Sequence, residues 1–461
     1  MDSLYLQSET QIEDNHISHL PWKALLDEPL CYQAQEAALL VAQRLRDPED
    51  VQRIAQLAEK QSSFPSRWDL SLPSAAAELA LFYSYVACCF PEHGWHTIAQ
   101  HYLKLVALSS QQHSLTSPAL FGGMSGIAFV VQHFSEAGQR YQQTLAHLHR
   151  SLAQRVRQLP CWQRSPEEGV AESDFDIIVG ASGIVGYLAS IASPDSIVRE
   201  ILHTLLGYLL ALTKPGQLPG QERWLCPPSL LVTESDRQHF PYGRFNCGLA
   251  HGIPGPLAAL SLAALAGYDV PGLHESIAYV STWLVQHQIQ DAWGGTWPTH
   301  IPYELASSPE EWHSLPPSRT AWCYGTPGVA RSLWLAGQAL RDDHLMGVAL
   351  DAIKGVLCRP LQIRDIDAPT LCHGIAGLLL ICLRFAHESQ DPFLLQQIPA
   401  LVEQILAQFD PQSPSGFRDR EPGGILVDRP DFLNGAAGTA LALLAAATAI
   451  APSWDRLLLV S

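Results

Sequence analysis

The residues best suited to chemistry sit in two short segments. Cys323 stands in Trp322-Cys323-Tyr324-Gly325-Thr326-Pro327-Gly328, and Cys372 and His373 stand in Leu371-Cys372-His373-Gly374-Ile375-Ala376-Gly377. Two thiolates and one imidazole suit a tetrahedral zinc ion, and three protein ligands leave the fourth position open for water or substrate. An open position implies catalysis rather than scaffolding. The competing reading is a pair of buried thiols beside a hydrogen-bonded histidine. Equivalent placement of the two cysteines in glycine turns of one pattern weighs against it. Adjacent Cys372 and His373 reach a single ion only from an irregular turn, which a glycine-rich helix entrance permits.

Other candidates surround these three. His251 precedes Gly252 as His373 precedes Gly374, so register aims it at the same place, where a spare imidazole is a natural general acid or base. Its alternative is hydrogen bonding from outside the reacting groups. Asp176 lies four residues before Gly180 and could orient His251 or relay its proton. A lone Asp near a helix start is otherwise a cap, and Asp174 competes for either task. Arg319 and Tyr324 flank Cys323 and could donate hydrogen bonds to a developing oxyanion; a purely structural role is the alternative for both. Cys247, four residues before His251, is a rival ligand read here as a packing residue. The vicinal Cys88-Cys89 lies in an apolar helical run without a partner histidine, which predicts core packing.

What must position these residues is a repeat. Gly123-x-x-Gly126, Gly180-x-x-Gly183, Gly252-x-x-Gly255, Gly325-x-x-Gly328, Gly374-x-x-Gly377 and Gly435-x-x-Gly438 are six copies of one turn, each followed by an apolar helix-forming run. A degenerate copy at Ser74-Ala75-Ala76-Ala77 makes seven units. Glycine permits close backbone approach and positive φ at such a helix entrance, and Pro254, Pro256 and Pro327 fit the first helical turn. Between turns there is room for one amphipathic helix, such as 141–159 or 399–409. One buried and one outer helix per unit describe an α/α arrangement. The inner helices are apolar nearly all round and the ligand-bearing turns must converge, so the ring is expected to close around one cavity. The segment 286–319 breaks the rhythm and reads as an insertion or loop near the cavity mouth.

Apolar residues make up 47% of the 461-residue chain and charged residues 16%, which points to an extensive core. With 28 basic against 45 acidic residues the formal net charge is −17, which opposes attraction to nucleic acid or anionic membrane and favours a basic peptide. Residues 1–15 are polar and show no secretion signal, and the apolar stretch 439–451 is too short to span a bilayer. Ten cysteines without disulfide spacing fit a reducing cytoplasm.

With these residues in view, the chain resembles the lanthionine synthetase C family. The resemblance runs through the turns from 122 to 438 and is most specific at 248–255, at 322–328 and at Cys372-His373-Gly374. It implies a single all-α domain over 1–461, an α/α toroid of seven inner and seven outer helices, with 1–70 as a helical lead-in. One zinc ion would be held by Cys323, Cys372 and His373, with catalytic roles at His251 and Asp176. The implied reaction adds peptide cysteine thiols to dehydroalanine or dehydrobutyrine, forming thioether rings in a dehydrated precursor peptide with a leader. A separate dehydratase, a transporter complex and a cytoplasmic location, with any membrane association through those partners, are further expectations. Two departures stand out: the first repeat lacks its glycines, and 304–318 carries no interpretable motif. The alternatives are glutathione addition to dehydrated residues at the same site, a non-catalytic peptide-binding toroid, and another zinc α/α toroid such as a prenyltransferase subunit.

Overall fold

A computed structural model describes residues 21–64, 68–135, 139–164, 168–216, 222–308, 311 and 313–461. The polar stretch 1–15 lies outside them.

Each glycine turn opens an inner helix, and the reason is steric. The loop before the turn folds back so that its carbonyls accept amides of the first helical turn. Met124 N bonds Ser117 O, Ile253 N bonds Asn246 O, Ile375 N bonds Ala368 O and Ala436 N bonds Arg429 O, each across seven residues. These bonds satisfy amides that a helix start otherwise leaves unpaired, so the inner helices need no side-chain cap. The backbone then passes so close that a Cβ on Gly374 would lie 2.3 Å from Ala368 O, and one on Gly377 would lie 2.0 Å from Leu371 O. Close approach, rather than the positive φ that was also expected, is the general requirement, since Gly123, Gly180, Gly374 and Gly435 are all extended. Gly325 is the exception, with φ of +112°.

The outer helices start differently. Asp195, Asp342 and Asp391 accept first-turn amides at the helices Ser196–Leu212, Asp343–Cys358 and Pro392–Leu406, caps each worth about 1 kcal/mol. Helix Gln142–Val156 buries Leu145, Leu148, Leu152 and Val156 on one face, the stripe an outer helix presents to a core. Pro399 lies inside Pro392–Leu406 and does not open a helix at 399.

Among the described residues, seven inner helices close into a ring: Pro73–Cys89, Met124–His133, Ala181–Ala189, Pro254–Leu265, Thr326–Leu340, Ile375–Ser389 and Ala436–Ala447 pack in chain order, and the last returns to the first. The degenerate first copy therefore does open an inner helix, at Pro73. Trp95–Gln112, Gln142–Val156, Ser196–Leu212, Leu273–Gln286, Asp343–Cys358 and Pro392–Leu406 cover the first six. The seventh is covered by the N-terminal helix Glu28–Arg44. What the sequence presents as a lead-in thus completes the outer layer and joins the two ends of the chain. The vicinal cysteines close the helix Pro73–Cys89, where Cys88 is exposed, which corrects the expected core role for that residue.

Among the described residues, three two-stranded antiparallel sheets interrupt the helices. Strand β1 (Arg244–Asn246) pairs with β4 (His300–Pro302), β2 (Ile289–Asp291) with β3 (Gly294–Thr296), and β5 (Asp419–Glu421) with β6 (Ile425–Val427). The segment 286–319 therefore supplies three strands and lies against the turn that carries His251. The centre of the ring is filled by the C-terminal segment. Leu459 abuts Gly186, Arg331 Nε donates to Val460 O at 2.6 Å, Arg384 Nε pairs with Asp455 at 2.6 Å, and Trp454 packs edge-on against Tyr85. These partners sit on four different inner helices.

Candidate active site

The glycine turns are stitched to one another by main-chain hydrogen bonds. Phe121 N donates to Ile178 O, Ile177 N to Ala250 O, Ala250 N to Cys323 O, Cys323 N to Cys372 O and Cys372 N to Leu433 O, at 2.9–3.2 Å. Most of these residues stand two positions before the first glycine of their turn. The register seen in the sequence thus becomes a belt of contiguous backbone at one end of the ring. Where the first repeat lacks the turn, the half-buried Glu78 carboxyl accepts Phe432 N at 3.2 Å and Trp68 Nε1 at 2.9 Å.

Cys323 and Cys372 are neighbours on this belt, joined from Cys323 N to Cys372 O at 3.2 Å, and their thiols influence each other's ionisation. The Cys372 thiol supports Cys323 as thiolate and, against the opposing effect of burial, His373 and Arg319 add to that support, so its pKa falls to about 7. Cys372 moves the opposite way because it faces that thiolate and its thiol is shielded from water. His373 Nε2 hydrogen-bonds Asp419 Oδ1 at 2.8 Å. Burial disfavours its imidazolium, but the bond and charge of Asp419 outweigh that and its pKa rises. Cys247 is buried with its thiol pushed well up by burial, as a packing residue should be.

The second pairing joins His251 and Asp176. Asp176 is 1% exposed; its Oδ1 accepts Val179 N at 2.8 Å and Gly180 N at 2.7 Å, and its Oδ2 meets His251 Nδ1 at 2.6 Å. It therefore caps its own turn and orients the imidazole at once. Asp174 is committed elsewhere, accepting Ala171 N and pairing with Arg164. Burial pulls the His251 pKa down, yet Asp176, through its bond and its charge, raises it overall, with Glu172 and Cys323 adding to the effect. Nδ1 is held by the carboxylate, which leaves Nε2 as the exchangeable position.

Tyr324 lies beside this pair, its ring centroid 6.2 Å from that of His251. Its hydroxyl accepts Asn246 Nδ2 at 3.3 Å, which leaves its own proton to donate. Asn246 also accepts Gly248 N at 2.9 Å through Oδ1 and so braces the turn bearing His251. Arg319 is the more loosely held, with its Nε 3.9 Å from Asp365 and its side chain 39% exposed. Sequence reasoning missed Asn246 and Asp419. Asn246 stands six residues before Gly252 in a stretch with no ligand pattern. Asp419 belongs to a hairpin whose only local signal is the Gly423-Gly424 turn.

An expected pH response follows from the His251 pair. If the imidazolium is the proton donor, the rate holds at low pH and falls as pH rises through the raised pKa. Asp176→Asn removes the charge that holds this pKa up, so the alkaline limb of a pH–rate profile should move to lower pH. An unmoved limb would assign the titration to another group.

Among the described residues no three His, Cys, Asp or Glu side chains are assembled as a ready metal cage. The donors themselves fit a zinc ion. Buried Cys323 and half-buried Cys372 bring two thiol donors to neighbouring positions on the belt, and the imidazole has one nitrogen committed to a carboxylate and one remaining, the usual state of a metal-binding histidine.

A family profile described as lanthionine synthetase C-like protein matches residues 66–459. The nisin biosynthesis protein NisC of Lactococcus lactis subsp. lactis is 26% identical over 330 residues, covering 71% of this chain and 77% of that protein. A solved structure of nisin cyclase aligns with a TM-score of 0.73 at 22% identity, over 91% of this chain and 98% of that one. The fold is thus that of an α/α toroid.

Proposed function

The chain belongs to the lanthionine synthetase C-like family, and from that premise we propose that it is a cyclase that forms thioether rings in a dehydrated precursor peptide. The observation that carries the reading is the placement of the His251–Asp176 pair one turn along the belt from the Cys323–Cys372 pair. A thiol-activating group and a proton donor then serve one substrate.

In the proposed reaction the peptide cysteine thiol gives up its proton to water, and the resulting thiolate sulfur adds to the β-carbon of dehydroalanine or dehydrobutyrine. A carbon–sulfur bond forms, the carbon–carbon π bond breaks, and its electrons move to the neighbouring carbonyl oxygen as an enolate. Protonation of the α-carbon completes the addition. Cys323, Cys372 and His373 would hold one zinc ion, which when bound supplies positive charge that lowers the pKa of a substrate thiol from its usual ~8.5. His251 delivers the proton to the α-carbon from Nε2, with Asp176 fixing its orientation and its charge. The Tyr324 hydroxyl, and Arg319 from the Cys323 side, stabilise the enolate oxygen. A net charge of −17 favours approach of a basic peptide.

A separate dehydratase prepares the substrate, because the chemistry assigned to this site consumes dehydrated residues and does not make them. A transporter complex and a cytoplasmic location complete the proposal; no helix among the described residues is long and apolar enough to cross a membrane.

The test measures zinc stoichiometry and thioether formation on a dehydrated cysteine-containing peptide for wild type, Cys372→Ala and His251→Ala, with free glutathione as a competing thiol. Wild type should bind one zinc and close rings. Cys372→Ala should lose both, and His251→Ala should keep the metal and lose ring closure. Full zinc retention in Cys372→Ala would remove the metal assignment. A wild type that joins only glutathione to the peptide would replace the cyclase reading.

A further inference from the structure

His373 is held by a network of carboxylates and arginine that takes no part in the proposed chemistry. Asp419 on β5 is 3% exposed. Its Oδ1 accepts His373 Nε2 at 2.8 Å and Arg420 N at 2.9 Å, while its Oδ2 accepts Arg429 Nε at 3.2 Å. Arg429 in turn donates through Nη2 to Glu421 and to Ser62 Oγ, and Glu421 also accepts Ser63 N at 2.8 Å. The β5–β6 hairpin is thereby fastened to the loop after the helix Pro48–Gln61, and the carboxylate facing His373 cannot turn away without breaking three bonds. A carboxylate oxygen that takes protons from a main-chain amide and an imidazole is an acceptor, so Nε2 of His373 carries the hydrogen.

We propose that Asp419, clamped by Arg429, is a positioning residue that locks His373 in the Nε2–H tautomer and so reserves Nδ1 for the metal. The inference rests on the zinc reading above. It specifies something that reading leaves open, namely which nitrogen binds and what makes that choice. A carboxylate on the far nitrogen of a ligating imidazole orients the ring and raises its basicity, and removal of such a partner typically weakens metal binding 10–100-fold. Asp419 and Glu421 are buried and Asp419 is fully bonded, the condition under which such an arrangement specifies one geometry rather than several.

The experiment measures zinc affinity by competition with a chromophoric chelator for wild type, Asp419→Ala and Glu421→Gln. Nitrogen-15 NMR of His373 in the zinc-loaded and metal-free protein is the second readout. Asp419→Ala should bind zinc about 10–100-fold more weakly. The zinc-loaded wild type should show a protonated Nε2 and a metal-shifted Nδ1, and the metal-free wild type should already favour the Nε2–H tautomer. Glu421→Gln loosens the Arg429 clamp without touching Asp419 or His373, so it should lower the melting temperature and weaken zinc binding less than Asp419→Ala does. Unaltered zinc affinity in Asp419→Ala, an equal loss in Glu421→Gln, or zinc on Nε2 would each overturn the proposal. A wild type that binds no zinc would overturn the metal reading instead, and the metal-free tautomer would still report on the clamp.

Discussion

His251→Ala is expected to lower the rate of thioether formation by about 10²–10⁴-fold, the usual contribution of a positioned proton donor, in a protein that folds and binds metal as before. The fold should survive because Asp176 keeps two main-chain partners, Val179 N and Gly180 N, when the imidazole is gone. The buried carboxylate is therefore not stranded, and the large penalty of an unpaired buried charge does not arise. The rate should suffer because an unprotonated enolate expels the thiolate again, and water is a poor replacement for a fixed imidazolium. Mass spectrometry of peptide adducts, taken with zinc content and a melting curve on the same preparation, measures all three. A loss below tenfold would remove His251 from the proton-transfer step.

Gly325→Ala is expected to cost about 3 kcal/mol or more, combining the strain of a side chain at an unfavourable φ with forced overlap. Its φ is +112°, and a Cβ would lie 1.6 Å from Arg319 O. The backbone from Arg319 to Gly325 would have to open, carrying Cys323 with it. Gly122→Ala is the matched control, because Gly122 also has positive φ, +75°, but nothing lies within 4 Å of its Cβ position. It should cost only about 1–2 kcal/mol. Urea denaturation of the two variants separates strain from overlap, and equal losses would mean that the turn accommodates the extra carbon. Zinc uptake should fall in Gly325→Ala alone, since only that change displaces a proposed ligand.

The two variants differ in how much of their rationale is visible in the chain. That glycine is required at 325 follows from the repeated turn, but its clash partner, Arg319 O, emerges only when the preceding loop folds back. That His251 faces a shared site follows from its register with His373. Its partner Asp176 was a candidate in competition with Asp174, and folding separated them by giving Asp174 to Ala171 N and Arg164. The hairpins escaped the sequence reading because three-residue strands are too short to show alternation.

By itself the sequence determined the repeat, the inner and outer helix of each unit, the convergence of the turns and the residue types gathered there. Those features follow from local sterics and short periodicities: a G-x-x-G spacing, an apolar run, an i, i+3/i+4 stripe. Tertiary structure alone decided how the ring closes, with Glu28–Arg44 covering Ala436–Ala447 from the far end of the chain, and how its centre is filled by the segment ending at Val460. It also decided that His373 leans on Asp419, 46 residues away. Contacts of that span leave no local periodicity behind. Their partners are chosen by which surfaces the closed ring brings together, and that choice exists only once the ring has formed.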